Sequence, residues 1–293
     1  MHRTIFYLTT IITCLSFLTI DVKAGAQTDN ASSILLKSIL DAQPKRTKAR
    51  YKYRRPQETL EFLSIKPGMK VVEVLPGGGW YTKILLPYLG KNGHLVGLDY
   101  SQDMWHYFSF ATEQFIERKK IWVDTWTRDA SNWRTENSAA LSAYQYGEMP
   151  QNLKGTADAV LFIRALHNLA RYDAKGGFLS KALKETFDIL KPGGLVGIVQ
   201  HRSLEDRSDK WADGNNGYLK KSFVMKAMKD HGFEFIGESD INANPKDQAG
   251  EGDIVWRLPP SLRGTKDDPK KKAAALAIGE SNRMTLKFRK PLK

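Results

Sequence analysis

An acid and a glycine cluster stand together in Val71-Val72-Glu73-Val74-Leu75-Pro76-Gly77-Gly78-Gly79-Trp80-Tyr81, where an apolar run that reads as a strand gives way to a helical pattern. Glycines at such a turn let a ligand rest on the backbone, because no Cβ stands in the way. The helix expected over Tyr81 to Leu89 aims its N-terminus at the same spot. Asp99 closes a second apolar run, Leu95-Val96-Gly97-Leu98, about 26 residues after Glu73. A carboxylate there is placed to grip a ribose diol. Together these residues describe a nucleoside pocket at the carboxyl edge of a parallel sheet.

Two ligands suit such a pocket. A dinucleotide site wants Gly-x-Gly-x-x-Gly, whereas counting from Gly77 gives Gly77, Gly79 and then Thr82. The missing third glycine is the one that lets helix and strand pack closely. S-adenosylmethionine carries an ammonium group and a ribose, and Glu73 and Asp99 answer the two. The bland alternative is an ordinary strand, glycine turn and helix.

Around the turn, the pattern predicts strands at Lys70 to Val74, His94 to Leu98, Ile121 to Thr125, Ala159 to Ile163, Leu195 to Gln200, Phe233 to Ile236 and Thr285 to Phe288. Helices are expected between them, including Ser101 to Glu117 and Phe178 to Leu190, the latter ended by Lys191-Pro192-Gly193-Gly194. Residues 127 to 157 read as an irregular, lid-like loop carrying Trp133, Tyr144 and Tyr146. Alternating strands and helices predict an α/β fold: a doubly wound, mostly parallel sheet of seven strands with a long insertion at 238–283 before the last one. Residues 27–65 form an N-terminal helical segment of a single domain, 27–293.

The first 26 residues read as a secretory signal. Arg3 precedes the apolar run Ile5 to Ile20, and Ala24-Gly25-Ala26 offers small residues for cleavage after Ala26 or Ala24. An uncleaved anchor is the alternative, because about 17 apolar residues sit at the low end for a span. The only cysteine, Cys14, lies within this run, so the mature protein has no thiol or disulfide chemistry. The expected location is periplasmic or secreted. The net charge of +13 gathers at 45–55 and 270–293. These basic termini suit an anionic envelope surface or merely solubilise the chain, and they specify no nucleic acid.

The chain resembles class I S-adenosylmethionine-dependent methyltransferases. More narrowly, it resembles an exported, predicted-methyltransferase family marked by Pro-Gly-Gly-Gly-Trp-Tyr-Thr, here Pro76 to Thr82. Further likeness lies in Arg164-Ala165-Leu166-His167-Asn168, in Leu190 to Gly194 leading to His201-Arg202, in Ile241 to Asp247, in Leu258-Pro259-Pro260 and in Ile278 to Thr285. The resemblance implies S-adenosyl-L-methionine as cofactor. It places Glu73, Pro76, Gly77, Gly78, Gly79, Tyr81, Asp99, Tyr100 and Arg164 around that cofactor. One departure stands out: most members of the superfamily have glycine where this chain has Leu75, and Pro76 stiffens the turn further.

In the superfamily the segment after the fourth strand faces the acceptor. His167 is the natural general base there, Asn168 can hold an acceptor through its amide, and Arg164 can bind a carboxylate or phosphate in bidentate fashion. His201, just past the fifth strand, points to the same edge. Either histidine can instead serve only to cap a helix or bond a loop carbonyl. A metal is not expected, because no third ligand stands at suitable spacing. Glu280, Asn282 and Arg283 reach the site or form a structural ion pair, and the Asn242 to Asp247 segment reads as scaffold. Trp80, Tyr81, Tyr100 and Trp105 shield the cofactor or pack the core. The leading expectation is an exported methyltransferase acting on a small or envelope-associated nucleophile. The alternatives are a non-catalytic nucleoside-binding module of the same fold and a nicotinamide-dependent oxidoreductase.

Overall fold

The computed structural model describes residues 16–293, with side chains described from Asp29 onward. The expected signal therefore lies largely outside the described residues: Cys14 entirely, and the side chains around Ala24 and Ala26. Seven strands form one sheet: β1 (Lys70–Val74), β2 (His94–Asp99), β3 (Ala140–Gln145), β4 (Ala157–Ile163), β5 (Leu190–His201), β6 (Glu234–Ser239) and β7 (Arg283–Arg289). Their order is β3-β2-β1-β4-β5-β7-β6. All pairings are parallel except those of β7, which runs antiparallel to β5 and β6. The strand order reverses between β1 and β4, which puts a ligand crevice at their carboxyl ends.

Four helices precede the sheet: α1 (Ser16–Asp41), α2 (Lys45–Lys48), α3 (Tyr51–Arg54) and α4 (Pro56–Phe62). The crossovers are α5 (Thr82–Leu89) from β1 to β2, α6 (Glu113–Lys120) and α7 (Trp122–Ser131) from β2 to β3, and α8 (Leu166–Arg171), α9 (Asp173–Gly176) and α10 (Phe178–Ile189) from β4 to β5. Next, α11 (Lys221–Asp230) leads to β6, and α12 (Pro269–Ile278) sits in the insertion before β7.

The central strands are buried on both faces, as continuous apolar runs require. Val72, Val74, Val160 and Phe162 pack with Leu179, Leu183 and Phe288 on one side. Val71, Ala159 and Leu161 pack with Leu36, Leu40, Leu60 and Ile84 on the other. Leu36 and Leu40 are one helical turn apart, so α1 presents one stripe to that second cluster.

Four expectations need correction. The strand expected at Ile121 to Thr125 is the start of a helix: Trp122, Trp126 and Ala130 repeat every four residues, and the two indoles stack 5.5 Å apart. The helical period decides because Trp126 lies flat over Gly97 in β2, where a Cβ would stand 2.5 Å from the ring. The third strand, β3, falls instead inside the stretch expected to be a lid, and only Ala143 and Gln145 along it are buried. The long helix expected from Ser101 is a short 3-10 segment, Gln102–Tyr107, followed by α6. α10 ends at Ile189, just before Lys191 to Gly194 as expected, but β5 starts earlier than Leu195 and bulges through that segment: Leu190 pairs with Ala157, and the register then jumps to Leu195 opposite Ala159.

Gly97→Ala should therefore destabilise the protein by about 1–3 kcal/mol through overpacking against Trp126. Urea unfolding measures it; no change would mean that α7 does not rest on β2 as described.

Candidate functional site

Glu73 ends β1 with its carboxyl buried and accepting a 2.6 Å hydrogen bond from the Thr82 hydroxyl. Burial pushes its pKa up to about 8, while the bonds from Thr82 pull the other way. Because Thr82 opens α5, this bond staples strand to helix across the glycine turn. Leu75 adopts a left-handed φ of 53°, an unusual conformation for a side-chain-bearing residue, and its N–H bonds the carbonyl of Leu98 on β2. The chain thus makes with leucine a left-handed turn for which glycine is the usual residue. Pro76 is buried, while Gly77 and Gly78 are exposed with open space beside them. Gly79 differs: the ring of Trp133 would stand 2.2 Å from a Cβ there. Trp133, expected in a lid, instead braces the turn from behind.

Asp99 ends β2 fully buried. One carboxylate oxygen takes the Tyr100 N–H at 2.9 Å, and the other meets Lys119 Nζ from α6 at 2.7 Å. Burial raises its pKa, opposed by Lys119. Lys119 in turn lies 3.8 Å from the centre of the Trp105 ring. The acid expected to grip a ribose is therefore held by the protein's own lysine. Tyr100 and Trp105 belong to the core, and the Tyr100 hydroxyl donates to the Ala165 carbonyl while receiving the Asn168 amide at 3.3 Å.

Past β4, Arg164 also adopts a left-handed φ, 61°, and its N–H bonds Val199 of β5 at 2.7 Å. His167 and His201 come together as expected, their rings 5.5 Å apart. Gln200 holds His167 through Nδ1 at 3.4 Å, and Ser281 holds His201 through Nδ1 at 2.6 Å. Burial drives the His167 pKa down to about 4 despite the bond from Gln200. His201 is pushed well below the ordinary histidine value by burial, by His167 and by three arginines. The near-neutral titration expected of His167 is corrected accordingly: both imidazoles are neutral at pH 7.

Glu280 joins three arginines: Arg50 Nε at 2.7 Å, Arg283 Nη2 at 3.3 Å and Arg54 Nε at 3.5 Å. Asn282 accepts the Asn244 N–H, and Asn242 donates to Thr59 and Thr285, so the 242–247 turn is indeed scaffold that ties the insertion to α4 and β7. Tyr81 is buried beside this group, with its hydroxyl 3.5 Å from the Arg54 carbonyl. Among the described residues no group of three His, Cys, Asp or Glu is placed to hold a metal ion.

Arg54, Lys119 and Gln200 escape sequence reasoning. Arg54 sits in a crowded basic run that reads as solvated surface, yet only 4% of it is exposed. Lys119 had one signal: it stands three residues after the buried Ile116, on the inward face of α6. The basic C-terminus is also partly internal, since Lys287 and Lys290 donate to the carbonyls of Phe62 and Phe187. Lys270, Lys271 and Lys272 remain exposed.

For S-adenosylmethionine, the open backbone at Gly77 and Gly78 fits the amino-acid end. At the ribose end, Asp99 already accepts from Lys119 and Tyr100.

Residues 55–119 match the family model for protein-L-isoaspartate(D-aspartate) O-methyltransferase. A 49-residue stretch is 43% identical to ribosomal RNA small subunit methyltransferase H of Flavobacterium psychrophilum; it covers 17% of this chain and 17% of that protein's length. Similar solved structures include the [4+2]-cyclase SpnF (16% identity, 82% of this chain and 81% of that one, TM-score 0.48) and a SAM-dependent methyltransferase from Aquifex aeolicus (16%, 71% and 93%, TM-score 0.45). The seven-stranded, mostly parallel sheet with the glycine turn after its first strand is the architecture expected from the sequence, and the family match spans that turn.

Proposed function

We propose that the chain is an exported S-adenosylmethionine-dependent methyltransferase acting on a small or envelope-associated nucleophile. The observation that carries the reading is the placement of the open glycine turn, Arg164, His167 and His201 along one carboxyl edge, at the reversal of strand order. The match of residues 55–119 to a methyltransferase family model supports it. When bound, the cofactor supplies an electrophilic methyl group. The chain's own residues then have mainly to align the acceptor and exclude water. His167, neutral at pH 7 and fixed by Gln200, helps to position the acceptor, because a pKa held down to about 4 makes it a weak base there. Asn168, anchored on Tyr100, limits where the acceptor sits.

One observation favours a second reading, a binding module without turnover: Lys119 and the Tyr100 N–H already occupy both oxygens of Asp99. Calorimetric titration of the full chain with S-adenosylmethionine tests the pocket, and methyl transfer to an envelope extract separates the two readings. Micromolar binding, weakened roughly ten- to hundredfold by Asp99→Ala, is expected of the pocket. No binding to folded protein would sink the methyltransferase reading.

Export is part of the proposal. Among the described residues no helix is long and apolar enough to cross a membrane. Cleavage after Ala26 leaves Leu36 and Leu40, which α1 packs on the core, in the mature chain. N-terminal sequencing of the protein recovered from the periplasm should begin at Gln27, or at Gly25 for the earlier site; an intact Met1 in the cytoplasm would refute export.

The buried histidine also predicts a pH response. The folded pKa of about 4 lies below the unfolded value of 6.5, so the unfolded chain binds the proton first. Stability is full above about pH 6.5 and falls as the pH drops through 6.5 towards 4, by at most about 3 kcal/mol from this residue. His167→Gln should flatten that fall in urea titrations at pH 7 and pH 4.5. An unchanged slope would mean that His167 is not buried as described.

A further inference from the structure

Four guanidinium groups, those of Arg50, Arg54, Arg164 and Arg283, gather where α3, the turn after β4 and the start of β7 meet, and Glu280 is the one carboxylate set among them. Three of the four are accounted for. Arg50, Arg54 and Arg283 share Glu280, Arg283 also donates to the carbonyls of Ser281 and Tyr53, and Arg54 lies 4.5 Å over the Trp80 ring. Arg164 is different. Its Nε is fully buried with no hydrogen-bond partner, and among the described residues its guanidinium makes no ion pair. Its own backbone is held in a left-handed turn that places it there.

A buried cation without a counter-charge is costly, and removing a partner from such a group typically costs several kcal/mol. An unsatisfied buried donor of this kind calls for an explanation, and a missing ligand is one. Glu280 acts on Arg164 only at a distance and is already shared by Arg50, Arg54 and Arg283. Tyr81 is neutral, its pKa raised by burial although the arginines oppose it, and His201 and His167 are neutral too. Burial and mutual repulsion bring Arg54 down to about 9 and Arg164 to about 10, so both stay charged at neutral pH. Arg164 is half-buried, whereas Arg54 and Arg283 are buried.

We infer that Arg164, with Arg54 and Arg283 beside it, forms a subsite for one anionic oxygen group, a carboxylate or phosphate, carried by the methyl acceptor. The planar fork of arginine suits such a group. Position argues for the acceptor over the nucleoside. Along the sheet edge the order is Asp99 on β2, the glycine turn on β1, Arg164 after β4, His201 on β5 and Arg283 on β7. With strands about 4.8 Å apart, the cluster lies roughly 10–19 Å from the ribose acid. The acid group would then anchor the acceptor beside His167, with its nucleophile turned towards the glycine turn. This assignment of the anion to an acceptor rests on the methyltransferase reading; the anion site itself does not.

Thermal unfolding of the full chain tests both, with inorganic phosphate as probe, potassium chloride at matched ionic strength as control, and S-adenosylhomocysteine as cofactor product. Phosphate should raise the Tm of the wild type beyond the chloride control and add to the shift given by S-adenosylhomocysteine. Arg164→Met should lose the phosphate shift, keep the S-adenosylhomocysteine shift, and have a ligand-free Tm at or above wild type, because an uncompensated buried charge is gone. Arg164→Gln repeats the test should methionine disturb folding. A wild type blind to phosphate, with Arg164→Met lowering the Tm, overturns the subsite and makes Arg164 structural. Phosphate that competes with S-adenosylhomocysteine but not with methylthioadenosine, which lacks the carboxylate, assigns the cluster to the cofactor and overturns the acceptor. A phosphate shift that depends on Arg164, with no response to S-adenosylhomocysteine, leaves the anion site standing and sinks the methyltransferase reading instead.

Discussion

The carboxyl edge of this sheet depends on the single carboxylate of Glu280. It bonds Arg50 and Arg54, which lie more than 200 residues earlier in the chain, and Arg283 at the start of β7. Burial alone would raise its pKa, but Arg283, Arg54 and Arg50 outweigh that and hold it below the ordinary glutamate value. The N-terminal helices, the long insertion and the last strand are therefore pinned to one another by charge as well as by packing. A buried ion network of this kind adds little net stability compared with an apolar core, but it strongly disfavours any arrangement that leaves one member unpaired. Its main effect here is to tie α3 to the start of β7.

The two ends of the crevice share a design. At the nucleoside end, Asp99 is neutralised by Lys119 from α6, an element outside the sheet. At the other end, the arginines are only partly neutralised, by Glu280 from the insertion. In both cases the strand end supplies one charge and a peripheral segment supplies the other. A ligand entering at Asp99 meets a carboxylate already neutralised by Lys119, which limits what it gains there. A ligand entering at Arg164 displaces nothing, since no side chain holds that guanidinium. The anionic end is thus the more receptive in the conformation described.

Much of this was legible in the sequence, for identifiable reasons. β1, β2, β4 and the core of β5 are apolar runs bounded by turn residues, and double burial makes such runs unmistakable. The glycine turn, Asp99 and the two histidines follow from their positions at strand ends. β3 was hidden because it is an edge strand with two small or polar buried residues, whereas the nearby run at Ile121 carries the aromatic and β-branched residues expected of a strand. There the spacing of Trp122 and Trp126 was the better guide. Arg54 and Lys119 were hidden for the opposite reason: basic runs read as solvated faces, and pairing across the fold cannot be read from one chain segment. The left-handed Leu75 and Arg164 were unreadable, since neither residue type announces such a turn.

These charges also divide the labour of the site. Both histidines are buried beside arginines and lose their proton far below neutral pH, so they add no positive charge where an acceptor sits. The arginines stay charged throughout the neutral range. Recognition of an anion is then insensitive to pH around neutrality, with neutral imidazoles beside it. Had the site used histidine to hold the anion, the holding charge would have varied with pH close to neutrality. Placing permanent cations on α3, after β4 and on β7, and neutral imidazoles after β4 and at the end of β5, removes that dependence.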